Sequence, residues 1–250
     1  MSELLYEIRG LTKRYGDRVV LDGIDFDIRK GECLVVLGRS GSGKSVTLRQ
    51  LNGLEKPDEG SVAFDGVDLA ELEERELFPI RRRIAMLFQG GALFDSMNVF
   101  DNVAFPLREH TDLSEAEIGE RVTHKLSLVH LKDVEGKMPS DLSGGMKKRV
   151  ALARSLALDP EVVLFDEPTT GLDPMTSATI GHLINTIQAG LDVTSVVVTH
   201  DLALARRVGD RLAFLAESKF VFLGDWAEAD RSTDPRLANF LAGREDEEER

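Results

Sequence analysis

Five apolar residues, Cys33-Leu34-Val35-Val36-Leu37, run straight into Gly38-Arg39-Ser40-Gly41-Ser42-Gly43-Lys44-Ser45, and leucines at 48, 51 and 54 follow at helical spacing. This order allows few folds. A strand that is apolar at every position is covered on both faces, which is the habit of parallel sheets flanked by helices. The eight residues after it match G-x-x-x-x-G-K-[ST] in the strand–loop–helix setting that the motif's mechanism demands. Glycines let the backbone wrap closely around phosphate and aim its N–H groups inward. The helix N-terminus adds positive potential. Lys44 is expected to reach the β- and γ-phosphates of a nucleotide, and the Ser45 hydroxyl to ligate Mg²⁺, with Val46 next along the site. A Gly/Ser-rich turn of no function would share the composition but not the flanking strand and helix.

Two further runs are apolar throughout, Val162-Val163-Leu164-Phe165 and Val196-Val197-Val198. Residues 24–28 alternate instead, Ile24, Phe26 and Ile28 with Asp25 and Asp27 between, as in a sheet with one wet face. Val62-Ala63-Phe64 before Asp65-Gly66 reads as a strand entering a tight turn. Ile180, Leu183, Ile184 and Ile187 form a helical stripe. The fold class is α/β, a mostly parallel sheet with an antiparallel N-terminal part.

The run at 162 ends in Asp166-Glu167, and parallel strands present functional groups at their C-terminal ends. Asp166 is a candidate Mg²⁺ holder through water, and Glu167 a candidate general base that polarises the attacking water. Solvated acids at an ordinary strand end are the plain alternative. His200 closes the run from Val196 and is placed to sense a γ-phosphate, whereas His110, His124, His130 and His182 have no such setting.

Residues 90–158 have a different texture and read as mostly helical. Ser114-Glu115-Ala116-Glu117 has capping-box form and opens a stripe of Ile118, Val122 and Leu126. Leu142-Ser143-Gly144-Gly145-Met146 precedes a second stripe of Val150, Ala153 and Ala157. A Ser-Gly-Gly cap on a helix is a second anion site, far in sequence from the first. One nucleotide needs one phosphate loop, so the second site points to sharing between two subunits; a helix cap and nothing more is the alternative. The division expected is a nucleotide-binding core of 1–89 and 159–225, a helical subdomain of 90–158 and a C-terminal extension of 226–250 with no placeable pattern.

The formal net charge of −13 and a pI near 4.9 argue against duplex nucleic acid, which asks for clustered Lys and Arg. The single cysteine, Cys33, sits in an apolar run and reads as a buried, inert thiol. No apolar stretch approaches the roughly 18 residues a membrane span needs. Met1-Ser2-Glu3 lacks a signal-peptide pattern, and Glu245-Asp246-Glu247-Glu248-Glu249-Arg250 reads as a solvated tail. Any membrane role therefore goes through a partner.

With these motifs in hand, nearly the whole chain resembles the ABC (ATP-binding cassette) ATPase family. The order is the family's: Walker A at 38–45, Gln89 as the Q-loop, the LSGGM signature at 142–146, Walker B at 162–167, a D-loop at Gly171-Leu172-Asp173 and the switch His200. The resemblance implies a P-loop NTPase core of RecA-like type with an antiparallel N-terminal β subdomain and an inserted helical subdomain. It implies ATP and Mg²⁺ as ligands, with Gln89 joining Ser45 and Asp166 at the metal. Tyr15 matches the aromatic that stacks on adenine, an exposed strand tyrosine being the alternative. Two such subunits resemble halves of a head-to-tail sandwich, each ATP lying on the 38–45 loop of one chain and under Ser143, Gly144 and Gly145 of the other. ATP closes the sandwich and hydrolysis opens it, moving an attached integral-membrane permease.

The segment 90–107, Gly-Gly-Ala-Leu-Phe-Asp-Ser-Met-Asn-Val-Phe-Asp-Asn-Val-Ala-Phe-Pro-Leu, resembles the MlaF-type branch, as does Gly-Gly-Met-Lys-Lys-Arg at 144–149. That branch serves transporters that work with MCE-type lipid-binding proteins in phospholipid trafficking. It implies a peripheral place at the cytoplasmic face of a bacterial inner membrane. The competing readings are an ABC ATPase for another cargo, such as amino acids or exported lipids and drugs, and a soluble ABC protein of translation or DNA repair. The latter usually carry two cassettes or a long coiled coil, and neither is legible here. A P-loop kinase or GTPase would lack the Ser-Gly-Gly signature, and no N-K-x-D base-reading motif is present.

Overall fold

In the computed structural model, described over residues 3–244, the chain opens with two 12-residue strands whose apolar side chains alternate inward. β1 (Leu4–Tyr15) pairs antiparallel with β2 (Arg18–Arg29), Tyr15 opposite Arg18 at the hairpin end. β3 (Cys33–Leu37) is buried at every residue, and α1 (Lys44–Leu51) begins where the glycine loop ends. β4 (Glu59–Phe64) runs antiparallel to β1, and its turn at Asp65 and Gly66 takes positive φ at both residues before β5 (Val67–Asp68). Successive positive-φ residues are what a tight two-residue hairpin needs, as the Asp-Gly pair forecast. α2 (Glu74–Arg83) follows, its Leu77 buried.

Next come β6 (Ile84–Leu87), α3 (Val99–His110), α4 (Glu115–Leu128), a short 3₁₀ turn at Pro139–Asp141, α5 (Gly144–Ser155), β7 (Val162–Asp166) and α6 (Pro174–Leu191). The expected capping box at Ser114 and Glu117 is present, and Ser143 caps α5 by accepting from Met146 N–H. The chain ends with β8 (Thr194–Thr199), α7 (Leu202–Val208), β9 (Arg211–Ala216), β10 (Lys219–Gly224), α8 (Trp226–Asp230) and α9 (Pro235–Leu241).

These elements form two compact units, one drawn from the chain up to Arg81 and from Thr194 onward, the other from Arg82–Val193. In the first unit, strands run in the order β10-β9-β3-β8, with β3 parallel to both β8 and β9. The antiparallel set β2-β1-β4-β5 belongs to the same unit. Phe26 of β2 meets Phe220 of β10 at 5.1 Å between ring centres, and Tyr6 meets Phe64 at 4.9 Å. The Tyr6 hydroxyl is buried and donates to Leu51 O at 3.0 Å, so β1 and α1 share a satisfied polar contact in the core.

In the second unit β6 lies parallel to β7, and α3, α4 and α5 pack on one another. Lys125 is nearly inaccessible and pairs with Asp159, so this buried charge is not left alone.

The C-terminal stretch, which carries no readable pattern, folds onto the first unit as far as it is described. Trp226 Nε1 donates to Gly209 O at 2.9 Å, Leu237 is fully buried, and Phe240 meets Phe214 at 5.0 Å. The acidic run at 245–250 lies outside the described residues. No helix among those described is long and apolar enough to cross a membrane.

Gly60 shows how tightly β1 and β4 approach. Its φ is +83°, and a Cβ there would stand 2.4 Å from Arg9 O and from the Gly10 carbonyl. Backbone cannot yield as a side-chain tip can. Gly60→Ala is expected to destabilise the fold by at least about 2 kcal/mol. Urea unfolding checks this, and an unmoved midpoint would disprove it.

Candidate nucleotide-binding and catalytic site

The first unit gathers Gly38–Ser45, Tyr15 and His200. β3 and β8 pair with Leu37 opposite Thr199, so Gly38 and His200 leave adjacent strands at the same edge. Gly38 must be glycine, because a Cβ would lie 2.6 Å from Leu215 O and 2.7 Å from Ser42 Oγ. Gly43 caps α1 at φ +110°, where a Cβ would press on Val20 at 3.0 Å. α1 has no side-chain cap and no acid in its first turn. Its N-terminal N–H groups thus face the loop with no carboxylate in competition.

Lys44 is buried, and its ammonium donates to Gly38 O at 2.9 Å and Arg39 O at 3.0 Å. The loop therefore bends round its own cation. Ser42 Oγ is buried without a hydrogen-bond partner, an orphan that an anion's oxygen would suit. Ser40 and Gly41 are exposed, Arg39, Ser42 and Ser45 partly so, and Val46 is buried.

Tyr15 is half exposed at the end of β1. Its hydroxyl donates to Glu55, and Lys13 Nζ stands 5.8 Å from its ring centre. Partial burial and then the Glu55 carboxylate push its pKa up to about 12, so the phenol stays protonated. Opposite it in the hairpin, Arg18 donates to Gly41 O at 3.3 Å, which ties the tyrosine's hairpin to the phosphate loop. No sequence pattern announced Arg18 or Glu55.

The second unit gathers Gln89, Asp166, Glu167, Ser143, Gly144, Gly145 and Asp173. Leu87 sits opposite Phe165 in the parallel β6–β7 pair, so Gln89 and Glu167 each follow two residues beyond matched positions. Gln89 is exposed, while Asp166 and Glu167 are buried. Glu167 takes φ +46°, a left-handed backbone that costs a non-glycine residue of order 1–3 kcal/mol. Thr170 holds it at both ends: its N–H donates to Glu167 O and its hydroxyl to Glu167 Oε2, each at 3.2 Å.

Lys148 of α5, also buried, donates from Nζ to Glu167 O at 3.2 Å. Burial lowers its pKa, and the Glu167 and Asp166 charges oppose that shift. Ser143 and Gly144 are exposed at the α5 N-terminus, and Gly145 is buried where a Cβ would lie 2.4 Å from Thr176 Cγ2. Asp173 caps α6, accepting from Met175 and Thr176 N–H groups at 3.0 Å. A hydrogen bond from the Thr176 hydroxyl, then the backbone donors, hold its carboxyl below the usual range.

Sequence reasoning also missed what holds the loop after Gln89. Arg154 near the end of α5 donates to Gly91 O at 3.0 Å and Ala92 O at 2.8 Å, with its guanidinium 5.3 Å from the Phe94 ring centre. Asn102 is fully buried; its amide donates to Phe94, Met97 and Asn98 carbonyls and accepts from Phe94 N–H. The Leu-Phe-Asp-Ser-Met run thus wraps one asparagine. Asn102→Ala strands these groups and is expected to cost about 2–3 kcal/mol. Thermal and urea unfolding report it, and stability equal to wild type would refute the role.

Residues 21–170 match the ABC transporter family. The intermembrane phospholipid transport system ATP-binding protein MlaF of Haemophilus influenzae is 42% identical over 98% of this chain and 93% of its own length. MlaF of Escherichia coli is 41% identical over 96% and 89%. A Mycobacterium leprae protein named "Probable ribonucleotide transport ATP-binding protein mkl" is 46% identical over 95% of this chain and 69% of that one. Among solved structures, the dimeric post-hydrolysis state of the ATP-binding cassette MJ0796 bound to ADP and Pi superposes with TM-score 0.82, 33% identity, and 88% and 98% coverage. The cbiO1 cassette from Clostridium perfringens, part of the cbiONQ complex, gives TM-score 0.84, 30% identity, and 97% and 96% coverage. With a phosphate loop, a strand-end carboxylate pair and a Ser-Gly-Gly helix cap in the family's order, this chain belongs to the ABC transporter ATP-binding family.

Proposed function

We propose that this chain is the ATP-hydrolysing subunit of a transporter that moves phospholipid between bacterial membranes, working as a pair with a second copy of itself. The loop at 38–45 carries the ATPase reading: a ring of amides closed around the Lys44 ammonium, with Ser42 Oγ left unpartnered. Such a loop binds a triphosphate through N–H groups and one fixed cation. Tyr15 offers its ring to adenine.

Mg²⁺ fits the donors present. Among the described residues no cluster of His, Cys, Asp and Glu would hold a metal by itself. Mg²⁺ is commonly bound through only one or two carboxylates and completes its shell from phosphate, neutral oxygen donors and water. Ser45, Asp166 and Gln89 are the residues to hold it, and once bound it neutralises phosphate charge during transfer. Glu167 accepts the proton of the attacking water, and His200 reports on the γ-phosphate. Ser143, Gly144 and Gly145 offer the α5 N-terminus to the nucleotide of the second copy, with Asp173 beside them. In this division 1–89 and 159–225 bind and hydrolyse nucleotide, 90–158 carries the signature, and 226–250 is an extension.

The energy is delivered to an integral-membrane permease, which places the chain peripherally on the cytoplasmic face of the inner membrane. An MCE-type lipid-binding protein completes the system. The relatives' names disagree on cargo, phospholipid for MlaF and ribonucleotide for mkl. The phospholipid reading rests on the match spanning 93% of the MlaF chain and on the 90–107 segment. Co-purification with a permease and an MCE-type protein, and turnover raised by phospholipid, are expected. Turnover raised by ribonucleotides and not by lipid would defeat this reading.

Lys44→Ala is expected to weaken ATP binding by about 100-fold or more, because the γ-phosphate loses its charge partner. Titration with a fluorescent ATP analogue measures this, and unchanged affinity would remove Lys44 from the site. Glu167→Gln is expected to bind ATP, lose turnover by about 100-fold or more, and accumulate as a dimer on size exclusion. Ser143→Arg on that background should abolish the dimer peak. An undiminished peak speaks against the shared nucleotide.

A further inference from the structure

The hydrolysis reading leaves one buried charge unexplained, Lys148. It lies one turn inside α5, on a helix whose other inward residues, Val150, Ala151, Leu152 and Ala153, are apolar. A buried ammonium is costly, and an apolar side chain of similar length would satisfy the packing better. What Lys148 does is donate to a main-chain oxygen, Glu167 O, at 3.2 Å.

That oxygen sits at a strained point. Glu167 holds φ +46°, where residues other than glycine rarely rest, and Pro168 after it narrows the backbone further and brings no N–H. The Glu167 carbonyl receives donors from both sides, Thr170 N–H at 3.2 Å and the Lys148 ammonium at the same distance. Fixing this carbonyl fixes the direction in which Cα sends the side chain. Thr170 steadies the far end through Glu167 Oε2.

We propose that Lys148 is a positioning residue for Glu167, setting the backbone that aims its carboxylate at water. The proposal rests on Glu167 being the general base. It adds a direction of control: the helix capped by Ser143 also carries the donor that orients Glu167 of the same chain. A shift of α5, when its N-terminus meets the nucleotide of the second copy, therefore alters the aim of the base.

The test uses the full chain with Lys148→Met, Lys148→Arg and Glu167→Gln, read by steady-state ATP hydrolysis, nucleotide titration and thermal unfolding. Lys148→Met removes the donor and keeps the length. It is expected to lower kcat by about 10- to 100-fold, the effect of a misplaced catalytic group. KM and ATP affinity should stay within about twofold, since ground-state binding is untouched. Its Tm should stay within a few degrees of wild type, because relief of the buried ammonium is offset by loss of the cation beside Glu167 and Asp166. Lys148→Arg restores a cationic donor and should recover kcat to within roughly threefold.

A Lys148→Met enzyme with wild-type kcat overturns the proposal, as does a Tm that falls together with kcat in both variants. If Lys148→Met does not fold, Lys148→Leu is read by the same criteria. Glu167→Gln separates the two levels. Turnover surviving there defeats the base assignment and with it the role of Lys148. An inactive Glu167→Gln beside a fully active Lys148→Met defeats Lys148 alone.

Discussion

Parallel pairing of buried strands is the constraint from which the rest of this molecule follows. Leu37 beside Thr199, and Leu87 beside Phe165, put the ends of neighbouring strands at equal height. Within each unit, residues that follow the two matched positions leave neighbouring strands at the same end, with no need for the intervening sequence to be short. Such strands have no wet face, so β3, β7 and β8 are buried along their whole lengths. The hydrophobic effect fixes the register, because few other positions bury these side chains. The residues proposed to bind and hydrolyse nucleotide lie in the loops just beyond.

Those loops depart from ordinary conformational preference where function is assigned. Gly38 and Gly43 accept contacts that no side chain could share, and Glu167 holds a left-handed backbone without being glycine. Each departure has visible support. Leu215 O closes on Gly38, Val20 on Gly43, and Thr170 and Lys148 on Glu167. The surrounding core is rigid enough to hold such points.

Much of this was legible in the residues. The apolar runs became β3, β7 and β8, the Asp65-Gly66 pair became a tight turn, and the serines at 114 and 143 became helix caps. Local rules sufficed there, because a period, a cap or a turn is decided within a few residues. What stayed hidden was long-range. Arg18 reaching Gly41, Arg154 reaching Gly91 and Lys148 reaching Glu167 join positions 19 to 63 residues apart. None obeys a spacing rule, since the fold alone makes them neighbours. The C-terminal helices were missed for a related cause. α8 and α9 are five and seven residues long, too short for a periodicity to show, and they are stabilised by docking, as Phe240 is on Phe214.

The grip of Arg154 on the segment after Gln89 has one more consequence. Its guanidinium holds the carbonyl oxygens of Gly91 and Ala92, and every amino acid possesses such oxygens. The grip itself asks for no particular side chain, but Gly91, at φ +76° with Ala151 Cβ 3.3 Å from where its own Cβ would stand, is held to glycine, and Ala92 at φ +47° favours a small residue. Outward-facing residues such as Asp95 and Ser96 are free to drift toward whatever surface they must fit. The linkage to α5 survives each such change, so the exposed face of this segment is able to vary while its anchorage stays the same.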